Sequence, residues 1–116
     1  MTSMDKLYTL AKGARAKEFG YIKGLTGLTV YTGKDLSTIF YIADSNIESM
    51  LTYFESKGWF VLGNQIDDVK PNGLGDYFKS VLKVSPKYAS HIAAYLVKES
   101  KLTYRDDSGY LEFRVR

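Results

Sequence analysis

One break in the last third of the chain constrains it more than any other feature: Ser85-Pro86, set between two apolar stripes. Phe78, Val81, Leu82 and Val84 form the first cluster. Ala89, Ile92, Ala93 and Leu96 form the second, recurring at the three- and four-residue steps of an amphipathic helix. Two helices joined by so short a connection make a helix-turn-helix. Beyond them, Leu102-Thr103-Tyr104 and Tyr110-Leu111-Glu112-Phe113-Arg114 alternate in polarity, separated by Arg105-Asp106-Asp107-Ser108-Gly109. That cluster reads as a hairpin turn, with glycine where a positive φ is needed.

Helix, turn, helix, hairpin is the order of a winged helix. The run YFKSVLKVSPKYASHIAAYLVKESKLTYRDDSGYLEFRV resembles the C-terminal part of winged helix-turn-helix DNA-binding domains, where a Ser-Pro or similar pair caps the recognition helix and a β-hairpin wing follows. The family often has glycine at the turn position held here by Lys83, and a lysine there meets a left-handed backbone at some cost.

A similar pattern is read earlier in the chain. Leu7, Leu10, Ala11 and Ala14 predict a helix over about Asp5 to Lys17, weakened by Gly13, and Leu28-Thr29-Val30-Tyr31 predicts a short strand. Asp35 then starts an expected helix carrying Leu36, Ile39, Phe40 and Ile42. Ala43-Asp44-Ser45 is the turn, with Asp44 or Ser45 as N-cap, and Ile47, Met50, Leu51 and Phe54 stripe the next helix up to Gly58. Trp59 to Leu62, Gly63-Asn64 and Gln65-Ile66 complete a hairpin. The segment DLSTIFYIADSNIESMLTYFESKGWFV also resembles the winged-helix family, with Tyr41 at the turn position, and placing Ala43 on Ser85 suggests an internal duplication. Residues 67–75 read as the linker between the copies. The expected fold is α+β, a winged helix-turn-helix as a compact tandem pair of degenerate units, divided as 1–69 and 70–116.

Charge locates the partner. A formal net charge of +3 and a pI near 9.0 are only mildly basic. Residues 1–24 hold five Lys or Arg against two Asp or Glu, residues 25–72 three against six, and residues 73–116 eight against five. A phosphate backbone is therefore attracted to the two ends and repelled by the middle. The absence of cysteine excludes disulfides and thiolate metal sites and agrees with a cytoplasmic protein. No apolar run suits a membrane span. Phosphate-loop, nucleophile-elbow and HExxH motifs are missing. The pairs Asp67-Asp68 and Asp106-Asp107 fit turns better than a magnesium site. No enzymatic activity, cofactor or metal is expected, and the single histidine cannot form a histidine cluster.

The function these readings imply is double-stranded DNA binding, in transcription regulation or as a replication accessory. The helix near 85–100 would enter the major groove, with the wing near 104–110 on the backbone. Lys83 and Lys87 suit phosphate, and Ser85, Tyr88, Ser90 and His91 lie at the leading turn. Arg105 and Arg114 fall on the wing, while Asn46 and Ser49 occupy the equivalent face of the first unit beside Asp44, Glu48 and Glu55. That acidic neighbourhood favours a homodimer or protein partner there. The alternative is a protein-interaction module that binds no nucleic acid, such as a phage-encoded modulator of a host enzyme or a subunit of a DNA-organising complex. The DNA reading requires the second helix to present its leading turn to solvent.

Overall fold

Aromatic and β-branched residues are concentrated in residues 18–43, and strands follow from that composition. The computed structural model describes residues 3–10, 16–65, 68–106 and 110–116, with Gln65 and Asp68 as backbone only. Strands β1 (Asp5–Tyr8), β2 (Glu18–Lys23), β3 (Gly27–Thr32) and β4 (Thr38–Ala43) form a four-stranded antiparallel meander in the order β1-β2-β3-β4. Tyr21 pairs with Val30, Val30 with Phe40 and Leu28 with Ile42, so Phe19, Tyr21, Leu28, Val30, Phe40 and Ile42 line the buried face. Tyr31 faces Ile39 and Thr29 faces Tyr41 on the other.

Two expected helices are strands in this sheet. Asp5–Tyr8, the start of the expected 5–17 helix, pairs with β2, Leu7 opposite Phe19; residues 11–15 of that reading lie outside the described residues. The expected helix from Asp35 is β4 instead. Ile39, Phe40, Tyr41 and Ile42 are apolar at successive positions, which satisfies a helical stripe and a two-faced strand alike. Pairing with β3 selects the strand and puts Ile39 and Tyr41 outside.

With no helix before it, the expected turn at 43–45 is absent and the chain passes directly from β4 into α1 (Asp44–Glu55). Ala43 is the N-cap, extended and without a side-chain hydrogen bond. Asp44 lies in the first helical turn, where its carboxylate meets both the helix dipole and Lys23 Nζ at 2.9 Å. Ile47, Met50 and Phe54 are buried, as their spacing predicts, and Gly58 takes φ +69° beyond the helix end. The expected 59–66 hairpin is divided between two partners. β5 (Phe60–Val61) pairs with a strand near the C-terminus, and β6 (Asn64–Gln65) pairs with β7 (Asp68–Val69). Phe54 stacks on Phe60 at 4.0 Å and draws β5 toward the C-terminal hairpin.

The helical pair around Ser85-Pro86 is present. α2 (Leu74–Tyr77) continues as a π-helical turn, Phe78–Leu82, that ends at Lys83 in the left-handed conformation, φ 60° and ψ 37°. The Val84 N–H donates to the Phe78 carbonyl at 3.1 Å, closing the helix end as a glycine there normally would. Ser85 Oγ accepts from the Lys87 N–H at 3.4 Å and starts a 3₁₀ turn, Pro86–Tyr88, leading into α3 (Ala89–Lys98). Strands β8 (Leu102–Arg105) and β9 (Glu112–Val115) form the expected hairpin, with β5 added in the order β5-β9-β8.

One core spans all of this, from Phe19 and Leu28 in the first sheet through Phe54, Phe78 and Ile92 in the helices to Phe113 in β9. The division at 69/70 therefore cuts through one hydrophobic cluster and one sheet. The suggested duplication fails at 38–43, a strand where the second copy has a helix. α3 is the enclosed element: Ile92, Ala93, Ala94, Tyr95 and Leu96 are all buried. At about 100° per residue these five positions encircle the helix.

Lys83 tests the turn. Replacing it with glycine relieves a left-handed non-glycine backbone, and Lys83→Gly is expected to stabilise the protein by roughly 0.5–1 kcal/mol after the chain entropy of glycine is subtracted. Urea unfolding with an unchanged m-value checks this.

Candidate binding site

The corner where α3 begins brings together residues far apart in the chain. Thr9 and Lys17 close the end of the β1–β2 hairpin: the Thr9 N–H donates to the Lys17 carbonyl at 3.0 Å, and the Lys17 N–H returns to Thr9 Oγ1 at 2.9 Å. That clasp holds Lys17 beside the first turn of α3. Lys87 projects from the 3₁₀ turn with its ammonium 5.1 Å from the Tyr88 ring centre, a cation–π contact. Ser90 Oγ donates to the Lys87 carbonyl at 3.1 Å. With His91, Thr38 and Asn64, these side chains line an open cleft of about 450 Å³.

His91 forms the inner wall. Its ring meets Phe19 edge-on, centroids 5.0 Å apart at 90°. Nδ1 is shut off from solvent and has no hydrogen-bond partner of good geometry, although the Lys87 carbonyl one turn back lends it some polar support. Burial is the main force holding the pKa of His91 below 6.5; the Lys87 and Lys17 charges push the same way, and the Lys87 carbonyl opposes them. The imidazole is consequently neutral at physiological pH.

Of the residues expected to touch DNA, Lys87, Ser90 and His91 share this cleft, and Ser85 supports it as N-cap. Lys83 is exposed at the preceding turn. The Tyr88 ring lies flat on Phe40 at 4.3 Å and 9°. α3 itself is buried from Ile92 to Leu96, and Phe19 of the four-stranded sheet meets His91 at its first turn. Tyr95, one turn further along, packs against Tyr21 at 5.2 Å.

The remaining candidates lie elsewhere. Arg105 is exposed but committed, its guanidinium 4.0 Å from the Trp59 ring and its Nε 3.1 Å from Glu112 Oε1. Arg114 is exposed on β9, and Asn46 and Ser49 are exposed on α1. Of the two carboxylate pairs, Asp67 and Asp107 lie outside the described residues. Lys17, Thr9, Thr38 and Asn64 had no local signal. They become neighbours of His91 only when the sheet folds over α3.

No family model, curated protein or solved structure matches this chain. What the structure defines is a small α+β protein with a four-stranded antiparallel sheet and three helices. No helix among the described residues is long and apolar enough to cross a membrane.

His91 predicts a pH dependence. Burial lowers its native pKa below 6.5, so as pH falls the unfolded chain takes up the proton first. Stability is expected to be level with respect to this group above about pH 6.5 and to decline below it until the lower native midpoint is passed. Thermal melts between about pH 8 and about pH 5.5, a range in which ordinary carboxylates stay ionised, should show the decline in the parent and a flatter profile in His91→Phe.

Proposed function

We propose that the chain is a non-enzymatic, winged-helix-like interaction module that binds protein through the open edge of its first sheet, the occupant being a second copy of itself. The winged-helix assignment is supported by the order α2, left-handed turn, α3 and β8–β9 hairpin, with β5 as a third strand beside the hairpin. The observation that carries the functional reading is the enclosure of α3, which supports an interaction through another surface.

Attention therefore moves to the sheet. Its two edges differ in kind. β1, sequence DKLY, places Asp5 and Lys6 along its edge, the kind of charge that discourages strand pairing. β4, sequence TIFYIA, contains no charged residue, no proline and no glycine, and among the described residues no strand pairs with its outer side. Ile39 is 64% exposed and Tyr41 53%. The Tyr41 hydroxyl lies 3.1 Å from Thr26 Oγ1, so its ring leans over the start of β3 on the outer face of the sheet. An uncharged, unguarded edge is self-complementary, and antiparallel pairing of two β4 strands closes a two-fold dimer with both backbones satisfied.

A second reading keeps DNA as partner. Lys79, Lys83 and Lys87 are exposed around the α2–α3 turn, and among the described residues Lys79 and Lys83 have no carboxylate partner. They suit sequence-independent phosphate contact without entry of a helix into the groove.

Two measurements separate the readings. Sedimentation across the micromolar range should show a monomer–dimer equilibrium that Ile39→Lys with Tyr41→Lys shifts to monomer without loss of fold. A parent that stays monomeric throughout removes the edge-pairing proposal. Mobility shifts with random duplex DNA at low and physiological salt should show little binding. If a shift is seen and Lys83→Glu with Lys87→Glu weakens it at every sequence and flattens its salt dependence, the second reading replaces the first.

A further inference from the structure

We infer that the cleft at the start of α3 binds a small phosphate monoester. Two ammonium groups, Lys17 and Lys87, border it, and no carboxylate is found among its described lining. Hydroxyls from Ser90 and Thr38 and the Asn64 carboxamide add neutral hydrogen-bonding groups, while Leu10 and Leu62 supply apolar wall. A concave site with two positive charges and no internal counter-charge attracts an anion, and clustered donors favour one with several acceptor oxygens. At about 450 Å³ the cleft exceeds what an inorganic ion fills and falls in the range of small-molecule sites.

The groups facing His91 give the site a reporter. Lys87 on its own helix and Lys17 from the β1–β2 hairpin both disfavour the imidazolium, and the Phe19 ring covers one side. A bound dianion would neutralise the two lysines and raise the titration midpoint of His91. Because His91 is the only histidine, its ring resonances report this without overlap.

The experiment is an NMR titration of the full chain with adenosine monophosphate and with inorganic phosphate, at ionic strength held constant with sodium chloride. The expected result is a saturable shift of the His91 resonances and an upward move of its midpoint, tighter for the monophosphate ester than for phosphate alone. Lys17→Glu or Lys87→Glu should each weaken binding roughly tenfold or more, the loss of one charge-assisted hydrogen bond. Arg114→Glu, which removes the same charge far from the cleft, should leave it unchanged. Failure to saturate, an equal response to chloride, or equal weakening by Arg114→Glu would each overturn the site. Response only to duplex DNA would overturn it too. Association of β4, whose first residue Thr38 also lines the cleft, is scored separately by sedimentation.

Discussion

The fold depends on the enclosure of α3. Ile92, Tyr95 and Leu96 bury large side chains, and each contributes on the order of 1.5–3 kcal/mol as an upper estimate. The three alanines Ala89, Ala93 and Ala94 have another role: with only a methyl group each, they let neighbouring elements approach the helix closely. Aromatic contacts complete the enclosure, Phe19 against His91, Tyr21 against Tyr95 and Phe40 against Tyr88. The four-stranded sheet is thus the cover of α3.

Enclosure is incomplete at the N-terminal end of α3, and that is where the polar groups gather. Lys87 remains exposed, Ser90 and His91 are half-buried, and the β1–β2 clasp brings Lys17 up from the other side. Apolar packing fixes the backbone at this point, while the lysines that border the gap meet no carboxylate among its described lining residues. A cationic cleft is the result of ending a hydrophobic cover one turn short.

The connection between α2 and α3 shows how local chemistry and packing can disagree. A left-handed residue is required to end the π-helical turn, and lysine fills it. The Val84–Phe78 backbone hydrogen bond and the burial of Phe78 and Pro86 on either side hold the conformation that the residue type does not favour.

The stripes of α1 and α3 and the β8–β9 hairpin were legible in the sequence, since periodicity and turn chemistry depend on neighbours a few residues away, while the Ser85 cap and the turn at Lys83 came from the resemblance to winged helices. Residues 38–43 show the limit: a continuous apolar run satisfies helix and strand equally, and only pairing with β3 decides. Phe60–Val61 likewise needed a partner 53 residues away, Phe113 against Phe60 counted along the chain, before its strand identity was settled. The cleft was half legible, because Lys87, Ser90 and His91 lie within five residues across the 3₁₀ turn and the start of α3, whereas Lys17, Thr38 and Asn64 join them by sheet packing. By itself the sequence determined the apolar stripes that α1 and α3 bury and the turn chemistry of the β8–β9 hairpin. Tertiary structure alone decided which face of α3 is left for anything else to touch, since burial depends on every element that arrives, including those encoded farthest away.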